Sequence, residues 1–186
     1  MAAKLTETRL RQWMQKLGPQ LIALSAGICR DRHQAEEIVQ EAFIKLWRKP
    51  PDAGEIAYPS WMRRVVTNLS INAIQRTKRP AALPVVESDR ALCTQSNPET
   101  GLVSDESMGR IGAAMQQLDP MKRAILLLRA REQLTYEQIA EHLGIPVGTV
   151  MSRLNRARAA LMEVLEQTST PDEQPEVYEF KRYSAG

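Results

Sequence analysis

The residues whose types and spacing are suited to chemistry lie first between Thr135 and Arg158. Thr135 precedes Gln138 at the interval of a capping box, in which two side chains satisfy the free backbone groups at a helix start. Tyr136, Ile139, Ala140 and Leu143 then recur on one helical face. Gly144 ends that helix, because glycine accepts the positive φ of a sharp turn. A second helix from Val147 to Leu165 turns Val150, Leu154, Ala157 and Leu161 inward. It turns Thr149, Ser152, Arg153 and Arg156 outward, with Asn155 and Arg158 at their sides. Ala140 supplies the small residue needed where two helices cross. Cap, small residue, glycine and basic second helix together form the layout of a helix-turn-helix. Arginines on such a helix pair with phosphates or read guanine through two hydrogen bonds in the major groove. A plain helical hairpin with a solvated basic face is the alternative, which charge alone would favour.

A second group of polar residues falls on Ser60–Arg79. Trp61, Arg63, Arg64, Asn68, Asn72 and Arg76 combine an aromatic ring, amides and cations. Aromatics stack on unpaired bases and amides bond base edges, so this set fits opened DNA better than a closed duplex. A solvated, salt-laced helix explains it as well. The third group is acidic: Glu36, Glu37 and Glu41, with Gln40, Lys45 and Arg48 on the same face. Such a face repels DNA and fits either solvent or a basic protein partner.

The elements that must position these groups are helices, and the expected class is all-α. Leu10, Trp13, Met14 and Leu17 mark a first helix, which Gly18-Pro19 interrupts. Pro19 fits the first turn of a new helix carrying Leu21, Leu24 and Ile28. Ala35, Ile38, Val39, Ala42, Phe43, Leu46 and Trp47 give the next helix its inward face, and Pro50-Pro51 ends it. Pro59-Ser60 opens the basic helix with Ser60 as its cap and Trp61, Val65, Leu69 and Ala73 inward. Asp119-Pro120 starts a helix with Ala124, Leu127 and Leu128 on one face. The boundaries expected are a helical domain at 5–79, a linker at 80–107, a second helical domain at 108–167 and a tail at 168–186.

Composition narrows the function. At 43% hydrophobic and 25% charged, the chain is ordinary for a globular protein. It has no apolar run long enough for a bilayer and no secretory signal at its start, so a cytoplasmic location is expected. The net charge of +3 decides little, but its clustering at Arg63–Arg79 and Arg153–Arg158 favours phosphate contact. Two cysteines, Cys29 and Cys93, and two histidines, His33 and His142, do not make a zinc site. Cys29 reads as a small buried residue and Cys93 as a linker thiol. No phosphate-binding glycine loop and no nucleophile–base pair is visible, so no catalytic residue, cofactor or metal is expected.

In this order the segments resemble the sigma factors of bacterial RNA polymerase. AEEIVQEAFIKLWR (35–48) is similar to the family's core-binding segment. YPSWMRRVVTNLSINAIQRTKR (58–79) resembles the segment that melts and reads the −10 promoter element. The stretch 118–161, which contains LTYEQIAEHLGIPVGTVMSRLNRAR, resembles region 4, which reads the −35 element. The short linker resembles the small, two-domain extracytoplasmic-function group. The resemblance implies that Glu37, Gln40, Glu41, Phe43 and Ile44 bind core polymerase at the β′ clamp coiled coil, with further contact to the β subunit. It assigns Trp61, Arg63, Arg64, Asn68, Asn72 and Arg76 to the −10 element. It assigns Thr149, Ser152, Arg153, Arg156 and Arg158 to the −35 element. It also implies promoter DNA and an anti-sigma regulator as partners. Glu37 stands where the family usually has Asp, and Met151 where many members carry Lys or Arg.

Overall fold

Helix boundaries in this chain are set by local capping. The computed structural model describes residues 5–78 and 105–168. Helix α1, Glu7–Cys29, begins where the Thr6 hydroxyl accepts from the Arg9 N–H and ends on Arg30, in the left-handed region at φ 68°. It does not break at Gly18-Pro19, as the sequence reading expects: Pro19 lies inside one continuous helix. Proline there removes a backbone hydrogen bond and costs about 3 kcal/mol. Leu17, Leu21, Leu24 and Ile28 are buried on either side of it. Each such side chain contributes about 1.5–3 kcal/mol, so the shared apolar face outweighs the proline.

Helix α2, Arg32–Arg48, is capped by Asp31, whose carboxylate accepts from the Gln34 N–H at 3.0 Å. A short 3-10 turn, Gly54–Ala57, leads into α3, Tyr58–Lys78. Ser60 is therefore within α3 and does not cap it. The inward stripe of α3 is also shifted. Tyr58, Met62 and Val66 are buried in the first core, while Trp61, Val65, Leu69 and Ala73 are only half-buried at its margin. Leu17, Leu21, Ile38, Val39, Ala42, Phe43 and Leu46 complete that core, and Trp13 meets Tyr58 edge-on at 5.6 Å. Trp47, read as inward, is instead 47% exposed, because Leu46 takes the central position. Behind α3, Ser70 donates to the Val66 carbonyl and accepts from Ser25, each at 2.8 Å. Cys29, half-buried, donates to the Ser70 carbonyl, and burial raises its thiol pKa.

The second body holds α4 (Asp105–Gln117), α5 (Pro120–Ala130), α6 (Tyr136–Leu143) and α7 (Val147–Thr168). The Asp119 carboxylate caps α5 with Pro120 in its first turn, as expected. Ile125, Leu128, Ile139, Val150, Leu154 and Ala157 centre its core. Arg129 ties the α5–α6 turn by donating to the Leu134 carbonyl at 2.9 Å and lying over the Tyr136 ring.

The two bodies meet along a seam that no local pattern foretells. Leu24 and Ile28 of α1, Ile71 of α3 and Ala124 of α5 form a third buried cluster, flanked by Ile74, Met121, Leu127 and Leu143. Gly27 lies so close to Leu127 that an added Cβ would fall 2.8 Å from its Cδ1. Arg63 of α3 pairs with Glu132 across the seam at 2.9 Å. Arg123 is buried within reach of Arg30 and Cys29 and donates to the Gln116 carbonyl; burial lowers its pKa to about 10, so it stays cationic. Of the expected linker, residues 80–104 lie outside the described residues, as do Arg79, Cys93 and the tail from Ser169 onward; its last three positions, 105–107, already belong to α4.

Candidate nucleic-acid interface

The α6–α7 pair is built as the residue types demand. The Thr135 hydroxyl accepts from the Gln138 N–H, and the Gln138 amide oxygen accepts from the Thr135 N–H, closing the capping box. Glu137, in the first turn, is held below the usual carboxylate range by its own backbone N–H and by Thr135. Gly144 sits at φ 65°, so the turn occupies the left-handed region that favours glycine. Ala140 is buried where α7 crosses, and Val150, Leu154 and Ala157 pin α7 to the core.

Burial then divides the polar residues of α7. Ser152, Asn155 and Arg156 are exposed on the side away from Val150 and Leu154, and Met151 is exposed at the edge of that side, one turn before Leu154. Thr149, Arg153 and Arg158 are half-buried at the shoulders. The Ser152 hydroxyl donates to the Thr149 carbonyl at 3.1 Å, and Arg156 Nε donates to the Ser152 carbonyl at 3.3 Å. Met151, which sequence reasoning noted only as a departure, therefore borders the outward stripe. Its signal was its place between Val150 and Ser152, one step from the buried anchor.

On α3 the expected set splits. Trp61, Arg64, Asn68 and Asn72 follow one another at intervals of three and four, which places them on one stripe, with Arg76 at its end. Arg64, Asn72 and Arg76 are exposed; Trp61 and Asn68 are half-buried. Arg63 points elsewhere, into the seam, where its side chain is 28% exposed and that of Glu132 12%. His142 of α6 is buried at this junction. Its Nδ1 donates to the Gln138 carbonyl at 2.7 Å, while Nε2 is buried with no hydrogen-bond partner among the described residues. Burial lowers its pKa, and Arg63 and Arg64 push it further the same way.

On α2, Glu37, Gln40, Glu41 and Ile44 are exposed, but Phe43 is buried in the first core. Phe43 thus supports that face from beneath and does not lie on it. Two ion pairs one turn apart, Arg32–Glu36 and Lys45–Glu41, thread the acidic face, and His33 Nδ1 lies 3.5 Å from the Glu37 carboxylate. Such exposed pairs contribute only about 0.3–0.5 kcal/mol each, so a partner can exchange them. Ile44 at 50% and Trp47 at 47% exposure make an apolar patch among these charges, a pattern of protein-binding surfaces. Among the described residues no group of His, Cys, Asp and Glu is placed to hold a metal ion, and no helix is long and apolar enough to cross a membrane.

Comparison with known proteins places two families of segments on these two bodies. Residues 13–80 match Sigma-70 region 2, and residues 108–161 match Sigma-70, region 4. The chain is 34% identical over 155 residues to the RNA polymerase sigma-H factor of Pseudomonas aeruginosa, covering 78% of this chain and 80% of that protein. It is 35% identical over 134 residues to the ECF RNA polymerase sigma-E factor of Escherichia coli, covering 67% of this chain and 70% of that one. Among solved structures it resembles the sigma factor RpoE of Bartonella quintana, determined with the anti-sigma factor NepR. The TM-score is 0.59 at 22% identity, over 86% of this chain and 98% of that one. It also resembles CnrH, determined with the cytosolic domain of CnrY, with a TM-score of 0.56 at 18% identity over 88% and 92% of the two chains. At these identities the two structures speak for the fold.

Proposed function

We propose, from the premise that this chain belongs to the sigma-70 family of RNA polymerase sigma factors in its extracytoplasmic-function group, a division of labour between its surfaces. The protein is a sigma factor: it binds core RNA polymerase and directs initiation at promoters through −10 and −35 elements. The observation that carries the assignment of surfaces is the separation of exposed side chains into three chemically distinct faces. The face of Glu37, Gln40, Glu41, Ile44 and Trp47 combines acids with an apolar centre and suits a basic, helical polymerase surface. The α3 stripe of Trp61, Arg64, Asn68, Asn72 and Arg76 suits an unstacked −10 strand. Stacking there offsets the few kcal/mol that opening each base costs. The α7 stripe suits duplex DNA in the major groove.

Residues 5–79 and 108–167 act as the two binding units, and the segment between them tethers both to one promoter. Tethering raises the effective concentration of the second contact once the first is made. An anti-sigma protein covering these faces is the expected regulator, and the cytoplasm the expected place of action. The test is run-off transcription with core polymerase on a promoter library. Asn68→Ala should weaken discrimination at −10, and Arg156→Ala should weaken −35 use. If both variants initiate at the same sites with wild-type efficiency, the assignment of faces is wrong.

A further inference from the structure

We infer that Met151 and Asn155 form the base-selecting pair of α7, Met151 against a thymine 5-methyl group and Asn155 against an adenine edge. This deepens, and rests on, the reading of α7 as the helix that faces duplex DNA. Met151 is 45% exposed and belongs to none of the three apolar clusters, so packing does not explain it. Asn155 is exposed one turn further along the same side. Among the described residues its amide makes no hydrogen bond, unlike Ser152 and Arg156, which are both turned back on their own helix. The exposed side of α7 therefore offers, one turn apart, one apolar, polarisable tip at its edge and one uncommitted donor–acceptor pair.

Those two groups have defined counterparts in the major groove. Thymine presents only an acceptor and its methyl group, and apolar side chains contact the methyl. Adenine presents N7 as acceptor and N6–H as donor, which an asparagine amide matches with two hydrogen bonds. A thioether has no N–H to give, so Met151 neither reads guanine nor grips phosphate, as a lysine or arginine there would. Four helical residues rise about 6 Å, and base pairs are spaced by about 3.4 Å. The pair thus reads positions one or two steps apart, not one base pair. Arg156, beside them on the stripe, retains N–H groups for phosphate.

The experiment uses the full chain reconstituted with core polymerase and binding to duplexes spanning a −35 site. Each thymine is replaced in turn by deoxyuridine, which removes only the methyl. Each adenine is replaced by 7-deazaadenine, which removes only N7. Wild type should lose about fourfold at one thymine, the worth of one methyl-sized apolar contact, and about tenfold at one adenine. Met151→Ala should abolish the uridine effect alone, and Asn155→Ala the deazaadenine effect alone. Met151→Arg should shift preference at that step toward guanine. Uniform responses in wild type and both variants would overturn the pairing. Arg156→Ala serves as the separate control. If it weakens every duplex while no analogue matters, only the pairing fails; if it too changes nothing, α7 is not the duplex-facing helix. Both substituted side chains are exposed, so unchanged thermal melting confirms that folding is not the cause of any loss.

Discussion

Cutting the Arg63–Glu132 pair should change both the stability of the seam and the affinity of α3 for single-stranded DNA, in opposite directions. The two side chains are 2.9 Å apart, 28% and 12% exposed. Fully exposed pairs are worth about 0.2–1 kcal/mol, whereas hydrogen bonds to charged groups reach about 1.5–3. A half-sheltered pair falls between, at about 1–2 kcal/mol, or roughly tenfold in the balance between seam closed and seam parted. Thermal melting of Arg63→Ala, Glu132→Ala and the double variant should give a coupling of that size in dilute salt, diminished at 1 M salt, where charges are screened within about 3 Å. Glu132→Ala should also raise affinity for a −10 single strand by up to about tenfold, because Arg63 is released without a bond to break. Arg63→Ala should not. If the single losses simply add, to within about 0.3 kcal/mol, the pair is decorative and the reasoning fails. If Glu132→Ala leaves DNA affinity unchanged, Arg63 has no place on the DNA-binding surface.

Leu46→Ala, at a site with no exposure, should cost about 2–5 kcal/mol by urea unfolding, whereas Trp47→Ala should leave unfolding nearly unchanged and weaken binding to core polymerase. Equal stability losses would show that Trp47 is a core residue after all. Gly144→Ala should destabilise the second body by about 1–2 kcal/mol, since φ 65° is strained for an L side chain although space is free around it; an unchanged melting midpoint would refute the strain. Burial lowers the native pKa of His142, so the unfolded chain binds a proton first on acidification. Its contribution is therefore complete above about pH 6.5 and declines as pH falls toward the lowered native value. The urea midpoint of wild type should drop more than that of His142→Leu between neutral and mildly acid pH. Parallel drops would rule out His142 as the cause.

What the sequence reveals here depends on range. The capping box at Thr135, the Asp119-Pro120 start and the Gly144 stop are legible because each involves residues within a turn of one another. The buried face of α2 is legible because its apolar spacing is dense. Three features were misread for want of long-range information. Pro19 looks like a break until both flanking runs are seen to share one core. The stripe of α3 looks centred on Trp61 and Val65, but that helix is covered on two sides, and the deeper positions go to Tyr58, Met62 and Val66. Arg63 has the same local context as Arg64, and only a residue 69 positions away, Glu132, separates their fates. The binding faces were readable as residue types, but which members project to solvent was decided by packing. Phe43, assigned to a binding face, is buried, and Trp47, read as inward, is exposed.

Gly27 acts as a hinge-side clearance. With no side chain of its own, it lets Leu127 of the opposite body settle against the α1 backbone. A single methyl group at that position would force the Leu127 tip to turn aside, a local adjustment that leaves both separate cores intact. Two bodies that each keep their own interior, and share a thin strip of apolar contact beside one ion pair, can part without unfolding.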